Sequence, residues 1–213
     1  MVQGKLLLAT RNAHKVREIV ELLEGLPLEV SSLRDIGIAR LPGEDDVEIF
    51  GTFEQNALAK ARFYRVHTGM DVVADDSGLC VDALEGGPGV RSRRFAADHG
   101  MEGADQDAAN NQCLLRLLEQ VEDAERSAHY RCALACVTAD RTLVVGGRVD
   151  GRITRAERGR GGFGYDPLFL LPECGQTFGE LPPEVKAAIS HRAEAIRSFR
   201  RWLEPLESQE SLR

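Results

Sequence analysis

The chain has 213 residues, 43% of them hydrophobic and 29% charged, which suits a globular fold with one sizeable domain or two lobes. No apolar run approaches the ~20 residues of a membrane span, and a formal charge of −7 argues against broad phosphate neutralisation on nucleic acid. The five cysteines are scattered, odd in number and without a C-x-x-C pair, so neither a disulfide framework nor a zinc site is suggested and the expected compartment is the cytosol. The N-terminal residues lead into the strand-like run LLLAT, and no secretory n-region or cleavage site is expected there.

Residues 5–10 (KLLLAT) read as a strand, followed by the polar loop TRNAHK and an amphipathic helix with Val16, Ile19, Val20 and Leu23 on one face. A short strand follows at Leu28–Val30, then an acidic, irregular stretch over 40–51. Thr52 and Gln55 have capping-box spacing and open a helix through about His67, with Ala57, Ala61 and Tyr64 in register. In VVADDSG (72–78), Val72–Ala74 read as a strand, with Asp75, Asp76 and Ser77 projecting from its C-terminal end, where open α/β sheets place their ligands. Leu79–Val81 and the turn GGPG (86–89) come next. A helix spans about Asp105–Val121, and two strand-like runs at 127–138 and 142–150 read as a hairpin. A basic, Gly-rich loop covers 157–164, PLFLLP resumes a strand, and a last helix runs from Pro182–Pro183 to Leu203 with a break near Ser190. Alternating strands and helices followed by a hairpin give an α/β class with a mixed sheet. The expected domain is 1–204, with a frayed polar tail at 205–213.

Four segments carry chemistry. In the loop 10–15, helix-start N–H groups attract anions, Lys15 adds a full charge and Asn12 can donate from its amide; the plain alternative is an ordinary strand–helix connection. It is not a P-loop, because no G-x-x-x-x-G-K-[ST] occurs. Asp75 and Asp76, with the acidic loop 44–48, offer oxygen ligands of the kind Mg²⁺ takes, one or two carboxylates completed by water and phosphate. Neighbouring strand residues face opposite sides, so the two aspartates need not share one task. GRGGFGYD (159–166) matches G-x-G-x-x-G, but Tyr165, Asp166 and Pro167 follow in place of a helix, so the dinucleotide reading fails. There Phe163 or Tyr165 either stacks on a base or packs in the core. Finally, KAAISHR (186–192) brings Lys186, His191 and Arg192 together, and a guanidinium fork suits phosphate or carbonyl recognition. The set amounts to the inventory of a nucleoside triphosphate site without a P-loop.

In this order the segments resemble one family, the inosine/xanthosine triphosphate pyrophosphatases. The matching elements are Thr10-x-Asn12-x-x-Lys15, TFEQNALAKA (52–61), ADDSGL (74–79), GGFGYDPLF (161–169) and KAAISHR (186–192), spread over residues 5–200. The resemblance implies an elongated mixed β-sheet with flanking helices, two lobes forming a central substrate cleft, and a cytoplasmic homodimer that binds neither nucleic acid nor membrane. It implies Mg²⁺-dependent hydrolysis of ITP, dITP and XTP, purine nucleotides outside the standard pool, to the monophosphate and pyrophosphate. Asp76 would be the catalytic base and a Mg²⁺ ligand, with Glu48 the second ligand and Glu44 the fallback. Thr10, Arg11, Asn12, Ala13, His14 and Lys15 would hold phosphates, and Ser77 would touch substrate. Phe163, Gly164, Tyr165, Asp166, Lys186, His191 and Arg192 would bind the nucleotide. Asp75 is then a supporting carboxylate. A nucleotide sensor that keeps the pocket without chemistry is the alternative from another class. Two segments differ from the family pattern: Arg91-Ser92-Arg93-Arg94 carries extra positive charge, and EIFG (48–51) is bulkier than usual.

Overall fold

The computed structural model describes residues 4–101 and 103–203. Its elements are β1 (Gly4–Leu8), α1 (Ala13–Leu23), β2 (Leu28–Ser32), α2 (Phe53–Thr68), β3 (Asp71–Val81), α3 (Phe95–Asp98) and α4 (Gln106–Leu117). These are followed by β4 (Ser127–Val137), β5 (Thr142–Ile153), β6 (Phe169–Leu171), β7 (Gln176–Thr177), α5 (Pro183–Ile189) and α6 (His191–Leu203). The tail expected at 205–213 lies outside the described residues.

Local chemistry accounts for most boundaries. Thr52 caps α2 by accepting from Gln55 N at 3.2 Å, as the capping-box spacing predicts. Pro182 and Pro183 open α5, and Ser190, with extended ψ of 160°, separates α5 from α6. One expectation is corrected. β3 does not stop at Ala74 but continues through Asp75, Asp76 and Ser77 to Val81, so the paired carboxylates lie within a strand. Leu79, Cys80 and Val81 are as buried as Val72–Ala74, and this second apolar run carries the strand past its polar middle.

The described strands form one mixed seven-stranded sheet in the order β2-β1-β3-β4-β5-β6-β7. β1 is parallel to both β2 and β3, whereas β5–β6 and β6–β7 are antiparallel. β4 and β5 are neighbours joined by a tight turn, closed by Thr138 N donating to Arg141 O at 2.9 Å.

The chain forms two compact units. The first takes the described parts of 1–76, 132–147 and 192–213; the second takes 77–131 and 148–191. Each has its own core. In the first, Leu6, Leu8 and Val73 pack with Ile19 and Leu23 of α1 and with Ala195, Ile196 and Phe199 of α6. In the second, Leu79, Val81, Leu114, Leu118, Phe169 and Phe178 are central.

Phe199 is fully buried, and its ring lies 5.9 Å from that of Trp202, the single tryptophan. Phe199→Ala is expected to cost about 3–5 kcal/mol through lost burial and a residual cavity. Urea denaturation followed by Trp202 fluorescence measures it, and a loss well under 1 kcal/mol would contradict the packing described.

Candidate functional site

The register of β1 against β3 builds the first cluster. Leu8 is level with Val73 and Ala9 N donates to Val73 O at 2.8 Å, so the residues after β1 run alongside Asp75 and Asp76. Leu6, Leu8 and Val73 share the face covered by α1 and α6. Asp75, two residues after Val73, points the same way and meets Lys15 Nζ of α1 at 2.9 Å and Arg192 Nε of α6 at 3.4 Å. Arg192 also pairs with Glu18 Oε2 at 2.6 Å. Burial opposes the charge on Asp75, but Lys15, Arg192 and Lys60 outweigh it and hold the carboxyl well below the usual range. Beside it the Cys132 thiol is pushed up to about 12, chiefly by burial and then by Asp75. Arg192, expected to bind nucleotide, is 4% exposed and engaged with two carboxylates.

Asp76 faces the other way, toward α2. Asn56 Nδ2 donates to Asp76 Oδ2 at 3.0 Å and to Phe50 O at 3.1 Å, while Asn56 Oδ1 accepts from Phe50 N at 2.9 Å. One amide thereby holds both the carboxylate and the bulky 48–51 segment. One turn along α2, Lys60 pairs with Glu48 and is held protonated against burial by Glu48, Asp75 and Asp76. Burial is the main cause raising the Asp76 carboxyl above its ordinary range; Lys15 and Lys60 oppose the shift and Glu48 adds to it. Asn56 and Lys60 were not singled out from sequence, although both lie in TFEQNALAKA. The signal available was a polar pair four residues apart on a helix face otherwise filled by Ala57, Ala61 and Tyr64.

The loop before α1 is more structural than its composition suggests. Asn12 Oδ1 accepts from His14 N at 2.9 Å and Lys15 N at 3.2 Å, so this side chain caps the helix and takes two of the N–H groups that would otherwise attract an anion. Thr10 is buried and its Oγ1 accepts from Asn12 N; Ala13 and His14 are exposed in the first turn. Ser77 is half-buried in β3. Arg11 reaches the acidic loop, where Nη2 donates to Glu44 Oε2 at 2.8 Å and to Ala39 O at 2.8 Å, and Nη1 to Ile38 O at 3.1 Å. Glu44 is thus committed to Arg11 and to Leu41 N, leaving Glu48 as the loop carboxylate beside Asp76.

The second cluster lies in the second unit. Asp166 Oδ2 accepts from Phe163 N at 2.8 Å and from Lys186 Nζ at 2.6 Å, with both side chains of the ion pair under 8% exposed. Lys186 Nζ also lies 4.7 Å from the Phe163 ring centroid, a cation–π distance. The loop glycines are required by contact. At Gly162, φ +74°, a Cβ would overlap Asp166 Oδ2, and at Gly159 it would overlap the Gly179 carbonyl. The two aromatic residues part company. Tyr165 is 3% exposed, lies in the core and donates from its hydroxyl to Ser92 O at 2.8 Å, whereas Phe163 is only half-buried. His191 is buried and stacks on Tyr130, with centroids 4.8 Å apart and planes at 7°. The extra charge of Arg91 is met by Asp98, 2.7 Å from its Nε.

Among the described residues no three His, Cys, Asp or Glu side chains gather as a metal cage. A Mg²⁺ ion requires less, since one or two carboxylates suffice when water and phosphate complete the octahedron. Asp76 and Glu48 fit that demand: both are hard oxygen donors, they repel one another, and the positive charges of Lys15 and Lys60 offset them here. Asp75, matched by Lys15 and Arg192, already has its charge balanced.

Comparison with known proteins finds matches over nearly the whole chain. The profile of the Ham1 family matches residues 6–202. A dITP/XTP pyrophosphatase of Geobacter sulfurreducens is 46% identical over 194 residues, covering 90% of this chain and 92% of its own. One of Bacillus licheniformis is 46% identical over 197 residues, covering 92% and 95%. Among solved structures, a HAM1 protein from Coxiella burnetii superposes with a TM-score of 0.81 at 36% identity, covering 94% of this chain and 98% of that one.

Arg11 holds the Glu44 carboxyl down from 4.5 to about 2, its hydrogen bonds outweighing burial. Because the folded value is depressed, the pair's contribution is complete above pH 4.5 and disappears as pH falls toward 2. Glu44→Gln is expected to lose about 1 kcal/mol at neutral pH, a modest figure because Arg11 is partly solvated. Thermal unfolding across pH checks this: the gap to wild type should close in the acid window, and a pH-independent gap would refute it.

Proposed function

The chain belongs to the Ham1 family, and from that premise we propose that it is a Mg²⁺-dependent pyrophosphatase of ITP, dITP and XTP, releasing the monophosphate and pyrophosphate. The observation that carries the reading is Asp76: a carboxylate buried within β3, raised above its ordinary range, oriented by Asn56 and flanked by Lys60 and Glu48. Two close relatives named for this activity support it.

In this reading Asp76, held in one orientation by Asn56, takes the proton from the water that attacks the α-phosphorus. Asp76 and Glu48 would hold a Mg²⁺ ion, which when bound neutralises phosphate charge and polarises the attacking water. Lys15 and Lys60 offset the negative charge that grows on the leaving pyrophosphate. Asn56 keeps Asp76 in one orientation, and Asp75 keeps Lys15 and Arg192 in place. Phe163 offers the stacking surface for the purine, and Lys186 stands over that ring as a donor near it. A hydrogen-bonding site of this type can reject a base lacking the matching group by about 10⁴-fold. The same reading includes a homodimer, which rests on the family resemblance, in a cytoplasmic setting that five free thiols suit; light scattering should return twice the chain mass.

Incubation with ITP, XTP, ATP and GTP in Mg²⁺ should release pyrophosphate from ITP and XTP in preference to the others. Asp76→Asn should lower kcat by about 10²–10⁴-fold, the usual contribution of a general base, with thermal stability retained. Orthophosphate as first product, tight ITP binding without turnover, or near-normal activity of the variant would each defeat the assignment.

A further inference from the structure

One face of α4 holds two polar residues that the proposed chemistry does not use. Asn111 lies inside the helix, where asparagine is a poor helix former, and it is 3% exposed. Its Nδ2 donates to Gly164 O at 3.2 Å and to Glu157 Oε1 at 2.9 Å. Both partners are acceptors, which settles the amide's orientation. One turn earlier, Asp107 Oδ2 accepts from Gly164 N at 2.7 Å. Residues four apart share a helix face, so a single face of α4 binds both backbone polar groups of Gly164.

Gly164 is the residue after Phe163 and takes φ +61°, a conformation L side chains rarely adopt. On the other side, Phe163 N is tied to Asp166 Oδ2 at 2.8 Å. The backbone that carries the half-buried Phe163 ring is therefore tied by hydrogen bonds on both flanks. Asn111 is also an odd choice for stability alone. Its Oδ1 is buried without a hydrogen-bond partner, which costs free energy that an apolar residue would avoid. Holding the loop explains why an amide stands there.

We propose that Asp107 and Asn111 are positioning residues that clamp Gly164 and so set the orientation of Phe163 toward the purine base. The inference rests on the pyrophosphatase reading, because it assigns the clamped ring to base recognition. It places a determinant of substrate affinity on α4, a helix to which the proposed chemistry assigns no substrate contact.

The test uses the full chain with Asp107→Ala, Asp107→Asn and Asn111→Ala. Asp107→Ala and Asn111→Ala should each raise KM for ITP about tenfold while changing kcat by no more than about twofold, the split expected when ground-state and transition-state binding suffer equally. Asp107→Asn loses the charge that favours the first turn of α4 but keeps an oxygen to accept from Gly164 N–H, so it should stay near wild type. Amide hydrogen exchange at residues 159–166 should quicken in the two alanine variants only. If wild type turns over ITP and the alanine variants keep its KM, the inference fails and the pyrophosphatase reading stands. If Asp107→Asn is as impaired as Asp107→Ala, helix charge is the cause and the clamp is refuted. A wild type that does not cleave ITP removes both.

Discussion

A fully buried carboxylate has to be matched by positive charge, and Asp75 imposes that condition on the first unit. Burying an uncompensated ion is costly enough that the group would neutralise or the strand would not form as observed. Lys15 and Arg192 meet the condition, one from α1 and the other from α6, and Glu18 in turn engages the remaining capacity of Arg192. Two helices distant in sequence are thereby held to one atom of β3. The loop that runs from Thr10 to Lys15 inherits its position from this pairing as much as from its own helix cap.

Strand geometry then separates the two adjacent aspartates. Successive residues of β3 face opposite sides, so Asp75 is spent on cohesion while Asp76 meets Asn56 and the neighbourhood of Lys60 and Glu48. The electrostatic outcomes diverge accordingly. Asp75 is pushed below the ordinary carboxylate range by two cations in contact, and Asp76 above it by burial and by Glu48. Two chemically identical residues side by side in the sequence are thus prepared for different tasks, a pattern in which environments drive pKa values apart and so sort acids from bases.

The second unit solves a different problem, that of holding a glycine-rich loop in one shape. Asp166 does so from within, accepting from Phe163 N and pairing with Lys186, and the close approach of its carboxylate leaves no room for a side chain at Gly162. The segment GRGGFGYD could be recognised from sequence as a loop rather than a dinucleotide motif, because no helix follows it. Its internal order could not, since it depends on Lys186 some twenty positions away and on α4. The choice between Phe163 and Tyr165 was open for the same reason: both are aromatic, and only the acceptor at Ser92 O and the surrounding core draw Tyr165 inward.

From sequence alone the class of the fold and most helix starts were determined, because caps and apolar periods are local patterns, and the DDSG, GGFGYDP and SHR segments marked the candidate site for the same reason. The break at Ser190 and the Thr52 cap are of this kind. Tertiary structure alone decided how far β3 runs, that Arg192 and Arg11 are engaged with carboxylates, that Glu48 rather than Glu44 stands by Asp76, and that Asn56 and Lys60 complete the cluster. The physical reason is that a charged side chain takes its role from the partner it finds across the fold. Spacing along the chain does not encode that partner, whereas the register of β1 on β3 and the packing of α1, α2 and α6 do.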